Sequence, residues 1–500
     1  MEDFSMTEYT VGSGGDFVTL AAAAKAVKAG DVVHIRAGVY RELLTLDTPR
    51  VAWVGEPGAV IDGGWDGKTK TESWANQVTF KAPGVTVRGL TIRNCPGRGV
   101  AILADDPTLE KCIVENTYRG AILVGDSTGA PISGVTIRGN VFRRMSLAWD
   151  VGDRGKNGRS VNGSFNVQNV RSHNAKGEAR PSVIEDNVLH DGNGEAYNIG
   201  RGSEDVLVIG NEAYSTSHVG YYTNHAARTI FERNIFYHIP NPKYGGAKGD
   251  KYSAAFVIGD EAGIGEKGFP PSHGTVIRGN VVVNAGKFLQ VRNNKHNYDT
   301  KFLGTVVEDN TFIAGPQTTQ GIMIQANVHG RPHKDSVVRN NVIDMTHAAN
   351  GAVIAAHPQG SGVEFVGNAW SRQPPAALRS PSDVVGTLGI VRPDAPRDKG
   401  LDLENYRPLP DSPLVRGDGF VIGALAPKGG TPPEEPEPPE EPPTDPPEEP
   451  EPPEEPDISD RVLEELRAVR EMVMAALDAG ERALGAVDKL IALLESGSDI

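Results

Sequence analysis

Along most of this chain, short β-branched runs alternate with polar, glycine-rich turns. The pattern is clearest from Ser182 to Asn234, where one unit repeats. A run such as SVIED ends at an asparagine. A few polar residues, a second apolar run and a turn follow, and the unit begins again at the next asparagine. The asparagines Asn187, Asn211 and Asn234 lie 24 and 23 residues apart. Self-similarity at this period predicts stacked coils, each a single turn of chain that buries its apolar side against its neighbours. The series extends to Asn94, Asn116, Asn140, Asn280, Asn310, Asn341 and Asn368. Asparagine tolerates left-handed backbone, so these positions are expected at a bend between two strands. Their stacked amides would hydrogen-bond from coil to coil. Two steps are doubled, Asn140 to Asn187 and Asn234 to Asn280. The polar stretch 156–179 and the Gly/Pro/Lys-rich stretches 240–251 and 262–272 read as insertions into single coils.

The ends of the chain differ from this pattern. TLAAAAKAVKA, Thr19 to Ala29, predicts a helix with Asp16 or Thr19 as N-cap and Gly30 beyond its end. Such a helix would cover the open end of a coil stack. The order GGDFVTLAAAAKAVKAGDVVHIRAGVYRE, then VIDGG, then VTVRGLTIRN resembles the start of right-handed parallel β-helix proteins of the pectate-lyase-like superfamily. The resemblance covers about residues 9 to 425. It implies an all-β, single-stranded, right-handed parallel β-helix with an N-terminal cap helix. It also implies a function among lyases, hydrolases, epimerases, esterases and non-catalytic phage tail proteins.

The domains expected are 1–46, cap and first strands; 47–426, the β-helix; 427–457, a Pro/Glu-rich extended linker; and 458–496, an oligomerising helix. The linker cannot bury a core. In the helix, Val462, Leu466, Val469, Val473, Ala476, Gly480, Ala483, Val487, Leu490 and Leu494 follow the alternating spacing of a coiled-coil seam, weak in the middle. Self-association is the expected use, and a trimer is expected by analogy with phage tail fibres.

Charge changes the picture only after it is divided. Residues 431–457 carry twelve acidic and no basic side chains, and the segment from Ile458 adds a net −4, so the first 430 residues stand at +1 of the chain's −15. That main body has no basic excess calling for nucleic acid. No apolar run approaches a membrane span, and the first residues show no Sec-type signal. The expected location is on a virion, or outside the cell by another route. Cys95 and Cys112 fit no metal spacing and read as small core residues.

Candidate chemistry comes from the apolar run after each bend. Aligned coil to coil, the runs read AILADD (from Ala101), AILVGD (from Ala121), AWDVGD (from Ala148), AYNIGR (from Ala196), GYYTNH (from Gly220), AFVIGD (from Ala255), FLQVRN (from Phe288) and GIMIQA (from Gly321). The second and fourth positions alternate inward, so the third and fifth face solvent. Across the middle coils the outward positions and the following turn carry Asp150, Asp153, Asn198, Arg201, Tyr222, Asn224, His225, Asp260, Gln290 and Arg292, with Lys251 on a flanking insertion. Asp is also a common turn former, so its recurrence at one turn position is partly structural.

Such a column suits a polysaccharide partner. A lyase needs a base for the C5 proton of a uronic acid and a cation to neutralise the carboxylate. The candidate bases are Tyr222, His225 and Lys251, and the candidate cations are Arg201 and Arg292, or Ca²⁺ held by Asp150, Asp153 and Asp260. A hydrolase needs two carboxylates roughly 5 to 9.5 Å apart, here Asp150 with Asp153, or Asp153 with Asp260. The expected catalytic set is therefore Asp150, Asp153, Arg201, Tyr222, His225 and Asp260. Asn198, Asn224, Lys251, Gln290 and Arg292 are expected to bind substrate. Two functions remain open: a lyase or hydrolase of a surface or acidic polysaccharide, and a non-catalytic glycan-binding or structural tail or appendage protein.

Overall fold

The computed structural model describes residues 6–153, 164–239, 254–261, 268–292, 300–324, 332–356, 362–391 and 401–428. The chain divides into a unit spanning Met1–Pro433 and a second spanning Glu434–Ile500. The second unit, with the expected spacer from residue 429 and the oligomerising helix, lies outside the described residues.

The short strands of the first unit form three long sheets, of 13, 13 and 11 strands among the described residues. We call them A, B and C. Each coil gives one strand to each sheet in turn. One coil comprises Val206–Ile209 (A), Glu212–Thr216 (B) and Val219–Asn224 (C). The next comprises Ile230–Glu232, Ile235–Tyr237 and Ala254–Ile258. Neighbouring coils pair in parallel and in register, for example Tyr197 to Tyr221 to Phe256. Inward side chains therefore stack on their own kind. The rings of Tyr197 and Tyr221 lie 5.2 Å apart at 3°, and those of Tyr221 and Phe256 lie 5.1 Å apart at 17°.

Both doubled asparagine steps are single coils with insertions. The first consists of Thr136–Arg138, Val141–Arg143 and Phe165–Gln168, and the second is the coil containing Ala254–Ile258.

The asparagine ladder exists, with two corrections. From Asn140 to Asn368, each ladder residue is buried at the bend between sheets A and B. Asn211 is typical. Its Nδ2 donates to Ile184 O at 2.8 Å and to Asn234 Oδ1 at 3.1 Å, while its Oδ1 accepts from the backbone N of Asn187 at 3.0 Å. The left-handed residue is the one before. Gly139, Asp186, Gly210, Arg233, Gly279, Asp309, Asn340 and Gly367 have φ between 50° and 66°. The ladder asparagine supplies hydrogen bonds, and its predecessor supplies the turn.

Asn94 and Asn116 do not belong to this ladder. They sit four residues later, left-handed at φ 54° and 53°, in register with Arg144 at the B-to-C end. In their coils the bend positions are Leu90 and Cys112, and the backbone N of Cys112 donates to Asn140 Oδ1 at 2.9 Å. Cys95 and Cys112 are buried free thiols, and burial pushes the Cys112 thiol up to about 12.

The N-terminal helix α1 spans Leu20–Ala26, shorter than the expected Thr19 to Ala29. Thr19 is its N-cap, and the Glu42 carboxylate accepts from the backbone N of Leu20 and Ala21 at 3.1 and 2.9 Å. An anion at this end complements the free N–H groups and the helix dipole. Asp16 is not the cap; it accepts from Thr10 N at 2.7 Å instead. Leu20, Ala23 and Val27 join the core of the first coils.

At the other end, the segment 401–428 lies along the outer side of sheet B. Tyr406, Leu414, Ile422 and Leu425 bury Tyr237, Val281, Val283, Ile313 and Val342. That side of sheet B is therefore closed over the later coils, whereas the outer side of sheet C carries polar residues.

Candidate functional site on sheet C

The register of sheet C fixes which residues share its outer column. They are Leu123, Asn166, Asn198, Tyr222, Val257, Gln290 and Met323, one per coil. Parallel rungs are about 4.8 Å apart. The expected Asn198, Tyr222 and Gln290 are in this column, and Asp150 is not. AWDVGD forms a 3-10 turn, Leu147–Trp149, within the insertion that precedes the sheet-C strand of its coil. Leu147 and Ala148 are apolar because they pack on Trp65 and Tyr118, outside the central core. The strand of that coil is Phe165–Gln168, so Asn166 takes the outward place and Gln168 follows two residues on. The alternation of FNVQ was the signal for it. AILADD is displaced by two residues: Ala101 pairs with Leu123, and Leu103 lies beyond the column.

Several expected catalytic groups are occupied within the protein. Tyr222 is buried against Val219, Ala254 and Val257, and its hydroxyl donates to Gly259 O. Burial pushes its phenol well above the ordinary value, which removes it as a base near neutral pH. His225 is left-handed at φ 62° and 1% exposed. Its Nδ1 and Nε2 each lie 3.0 Å from a carbonyl oxygen, of Pro270 and Glu261 respectively. Asp260 is buried and accepts from His225 N at 2.6 Å, Ser272 Oγ at 2.6 Å and Ser272 N at 3.0 Å. These two residues clamp the turns from sheet C to sheet A. Burial raises the Asp260 carboxyl above its usual range, against the opposing pull of His225 and Ser272. The buried Asn224 accepts at Oδ1 from Glu261 N at 3.0 Å, again holding a turn.

Asp150 and Asp153 lie at the other end of the sheet-C strands. Asn193 Nδ2 donates to Asp150 Oδ1 at 3.0 Å, and the Tyr118 hydroxyl donates to Asp153 Oδ2 at 2.6 Å. Asn193 precedes the strand Tyr197–Gly200, whereas Arg201 follows it. Asp150 is thus separated from Arg201 and His225 by the length of a strand. The pair Asp153 and Asp260 is divided in the same way. Among the described residues, no group of three or more His, Cys, Asp or Glu side chains is arranged to hold a metal ion. The Ca²⁺ set of Asp150, Asp153 and Asp260 does not fit. Lys251 lies outside the described residues.

Other groups do face outward. Arg201 Nη1 donates to Gln168 Oε1 at 3.0 Å. The Arg292 guanidinium carbon lies 5.9 Å from the Tyr222 ring centre. Glu195 and His218, absent from the expected set, lie 3.7 Å apart from Oε1 to Nδ1, with the imidazole side chain 46% exposed. Burial works against the Glu195 charge, but His218 and Arg292 hold its carboxyl below the usual carboxylate range.

No family model matches the chain, and no curated protein matches it in sequence. Solved structures do resemble it. A pectate lyase, Pel9A, is 12% identical, with 85% of this chain and 97% of that chain covered at a TM-score of 0.47. A mannuronic-acid-specific polysaccharide family 6 lyase from the human gut microbiota is 12% identical, covering 77% and 92% at 0.42. PfbA, a surface adhesin of Streptococcus pneumoniae, is 12% identical, covering 65% and 79% at 0.38. The three parallel sheets decide the fold on their own. The chain is a parallel β-helix. On its outer side, sheet C carries Asn166, Asn198 and Gln290 in register, with the buried Tyr222 and Val257 between Asn198 and Gln290. No helix among the described residues is long and apolar enough to cross a membrane.

Proposed function

We propose that this β-helix is a carbohydrate-directed protein that lays an extended polysaccharide along the outer side of sheet C. The observation that carries the proposal is the column of half-buried amides, Asn166, Asn198 and Gln290, with Gln168, Arg201 and Arg292 beside it. Amides offer both donors and acceptors to sugar hydroxyls, and rungs about 4.8 Å apart present them at intervals a sugar chain can follow. Binding is the primary reading, because Tyr222, His225 and Asp260 are committed to holding turns.

A catalytic reading is favoured by one pair. His218 Nδ1 faces the Glu195 carboxylate, an arrangement that orients an imidazole for proton transfer through Nε2. In a lyase His218 would take the C5 proton of a uronate, with Arg292 as the nearby cation. Incubation with a panel of neutral and acidic polysaccharides separates the two. Binding without unsaturated products or new reducing ends supports the binding protein. Products lost in His218→Ala support the lyase or hydrolase. No binding to any polysaccharide contradicts both.

We also propose that residues 458–496 associate the chain with itself, supported by the heptad spacing of their apolar residues. Light scattering is expected to give a multiple of the 53.3 kDa chain mass that falls to the monomer on removal of residues 458–500. An unchanged mass would contradict this.

A further inference from the structure

Most arginines that line the outer sides of sheets A and B have carboxylate partners. Arg88 and Arg138 share Glu110, Arg143 meets Glu115, Arg278 meets Glu232 and Arg339 meets Glu308. Three arginines around the early coils of sheet C do not. Among the described residues, Arg98, Arg119 and Arg201 have no carboxylate within ion-pair distance.

Arg98 opens the strand Arg98–Ile102, is half-buried, and its guanidinium has no hydrogen-bond acceptor among the described residues. The guanidinium carbon lies 5.3 Å from the centre of the Trp74 ring. Arg119, from the coil above, is 4% exposed. Its guanidinium stacks 3.5 Å from the Trp74 ring centre, and its Nε donates to Ser73 O at 2.8 Å. Arg201 reaches back from a later coil to Gln168 and Ser127. Burial lowers Arg98 from the usual guanidinium value, and the charges of Arg119 and Arg201 lower it further. The charges of Glu72 and Asp153 act on Arg119, and that of Asp126 acts on Arg98. Asp126 is turned into its own loop, accepting from Thr128 N and Oγ1 at 2.9 Å each.

Gathering like charges and partly desolvating them with no described carboxylate in ion-pair contact is unfavourable. The cost would be offset by an anion between them. Trp74 is 53% exposed despite the stacked guanidinium, leaving aromatic surface of the kind that packs on the apolar side of a sugar ring. We propose that Arg98, Arg119 and Trp74 form a subsite for the carboxylate or sulfate of an anionic sugar. The proposal rests on the polysaccharide reading of sheet C and extends it to coils outside the expected middle set. The guanidinium fork of Arg98, which has no hydrogen-bond acceptor among the described residues, would take the two oxygens of the acid group, while the Trp74 ring supports the sugar beside it.

The test is intrinsic tryptophan fluorescence titrated with trigalacturonate, a sulfated galactose trimer and the neutral galactose trimer, each against wild type, Trp74→Phe, Arg98→Ala and Arg98→Lys. The expected result is an emission change with one or both anionic trimers, absent with the neutral trimer and absent in Trp74→Phe. Whichever anionic trimer acts identifies the group read. Arg98→Ala is expected to weaken that response roughly tenfold or more, as for loss of a charge-assisted bidentate contact, with Arg98→Lys intermediate. Arg98→Ala should also leave the melting temperature unchanged or raise it, since it removes a partly buried charge with no carboxylate partner among the described residues. A structural arginine would lower it. Polysaccharide binding with no Arg98-dependent response overturns the subsite and leaves the broader reading in place. An Arg98-dependent response to an anionic trimer without binding of any polymer keeps the subsite and overturns the broader reading. Equal responses to neutral and anionic trimers overturn the subsite.

Discussion

Replacing Asn211 by alanine is expected to destabilise the middle of the stack by about 3 kcal/mol, more than any outward substitution on sheet C. Its side chain serves two neighbouring coils. Nδ2 donates to Ile184 O, Ile209 O and Asn234 Oδ1, and Oδ1 accepts from Asn187 N and Nδ2. The site is fully buried, so water cannot replace these bonds. Repeat stacks need not unfold as one unit, so hydrogen exchange is the suitable readout. Exchange should rise in the strands Ser182–Glu185, Val206–Ile209 and Ile230–Glu232 before it rises near either end. Uniform exchange along the stack, or none, would contradict a ladder that holds coil to coil.

Asp260→Ala is expected to cost a similar amount, about 3 kcal/mol, as a loss of fold. It strips the acceptor from His225 N, Ser272 N and Ser272 Oγ in a buried place. Asp260→Asn retains one acceptor oxygen but turns an amide toward a donor, so it should fall between wild type and alanine. The pH dependence has a definite sign. Burial raises the folded carboxyl above its 3.8 reference. The folded state therefore holds this proton more tightly than the unfolded state. Stability from this group is largest below pH 3.8, declines as pH rises from there through the raised folded value, and is level above it. Asp260→Asn should abolish that decline in denaturant titrations. A wild-type profile retained in Asp260→Asn would show that the carboxyl does not titrate in the fold.

The architecture was legible because the bend asparagines recur at coil length, and long polar stretches inside a doubled step marked insertions. What escaped was position within the coil. Asn94 and Asn116 recur at the same period as the ladder while occupying a different bend, since every column of a solenoid shares one period. The left-handed residue before each ladder asparagine can be Gly, Asp, Arg or Asn, so no residue type announces it. AWDVGD alternates like a strand because Leu147 and Ala148 bury against Trp65 and Tyr118, and alternation does not say which core is being filled. His225 and Asp260 stood out as chemistry because polar residues at turns look alike whether they face a ligand or a backbone. Arg98 and Arg119, which have no carboxylate partner among the described residues, were invisible for the opposite reason. An arginine in a sequence does not show whether an acid reaches it, and the partners of Arg88 and Arg138 come from other coils.

The claim that sheet C carries the glycan is tested most directly by affinity. A polysaccharide bound by the wild type would be titrated against Asn198→Ala/Gln290→Ala, on the outer column of sheet C, and against Thr86→Ala/Thr136→Ala, outward on sheet A. Loss of two amide contacts predicts roughly tenfold weaker binding for the sheet-C variant, with the sheet-A variant binding as the wild type does. Wild-type affinity in the sheet-C variant, or an equal loss in both, would contradict it.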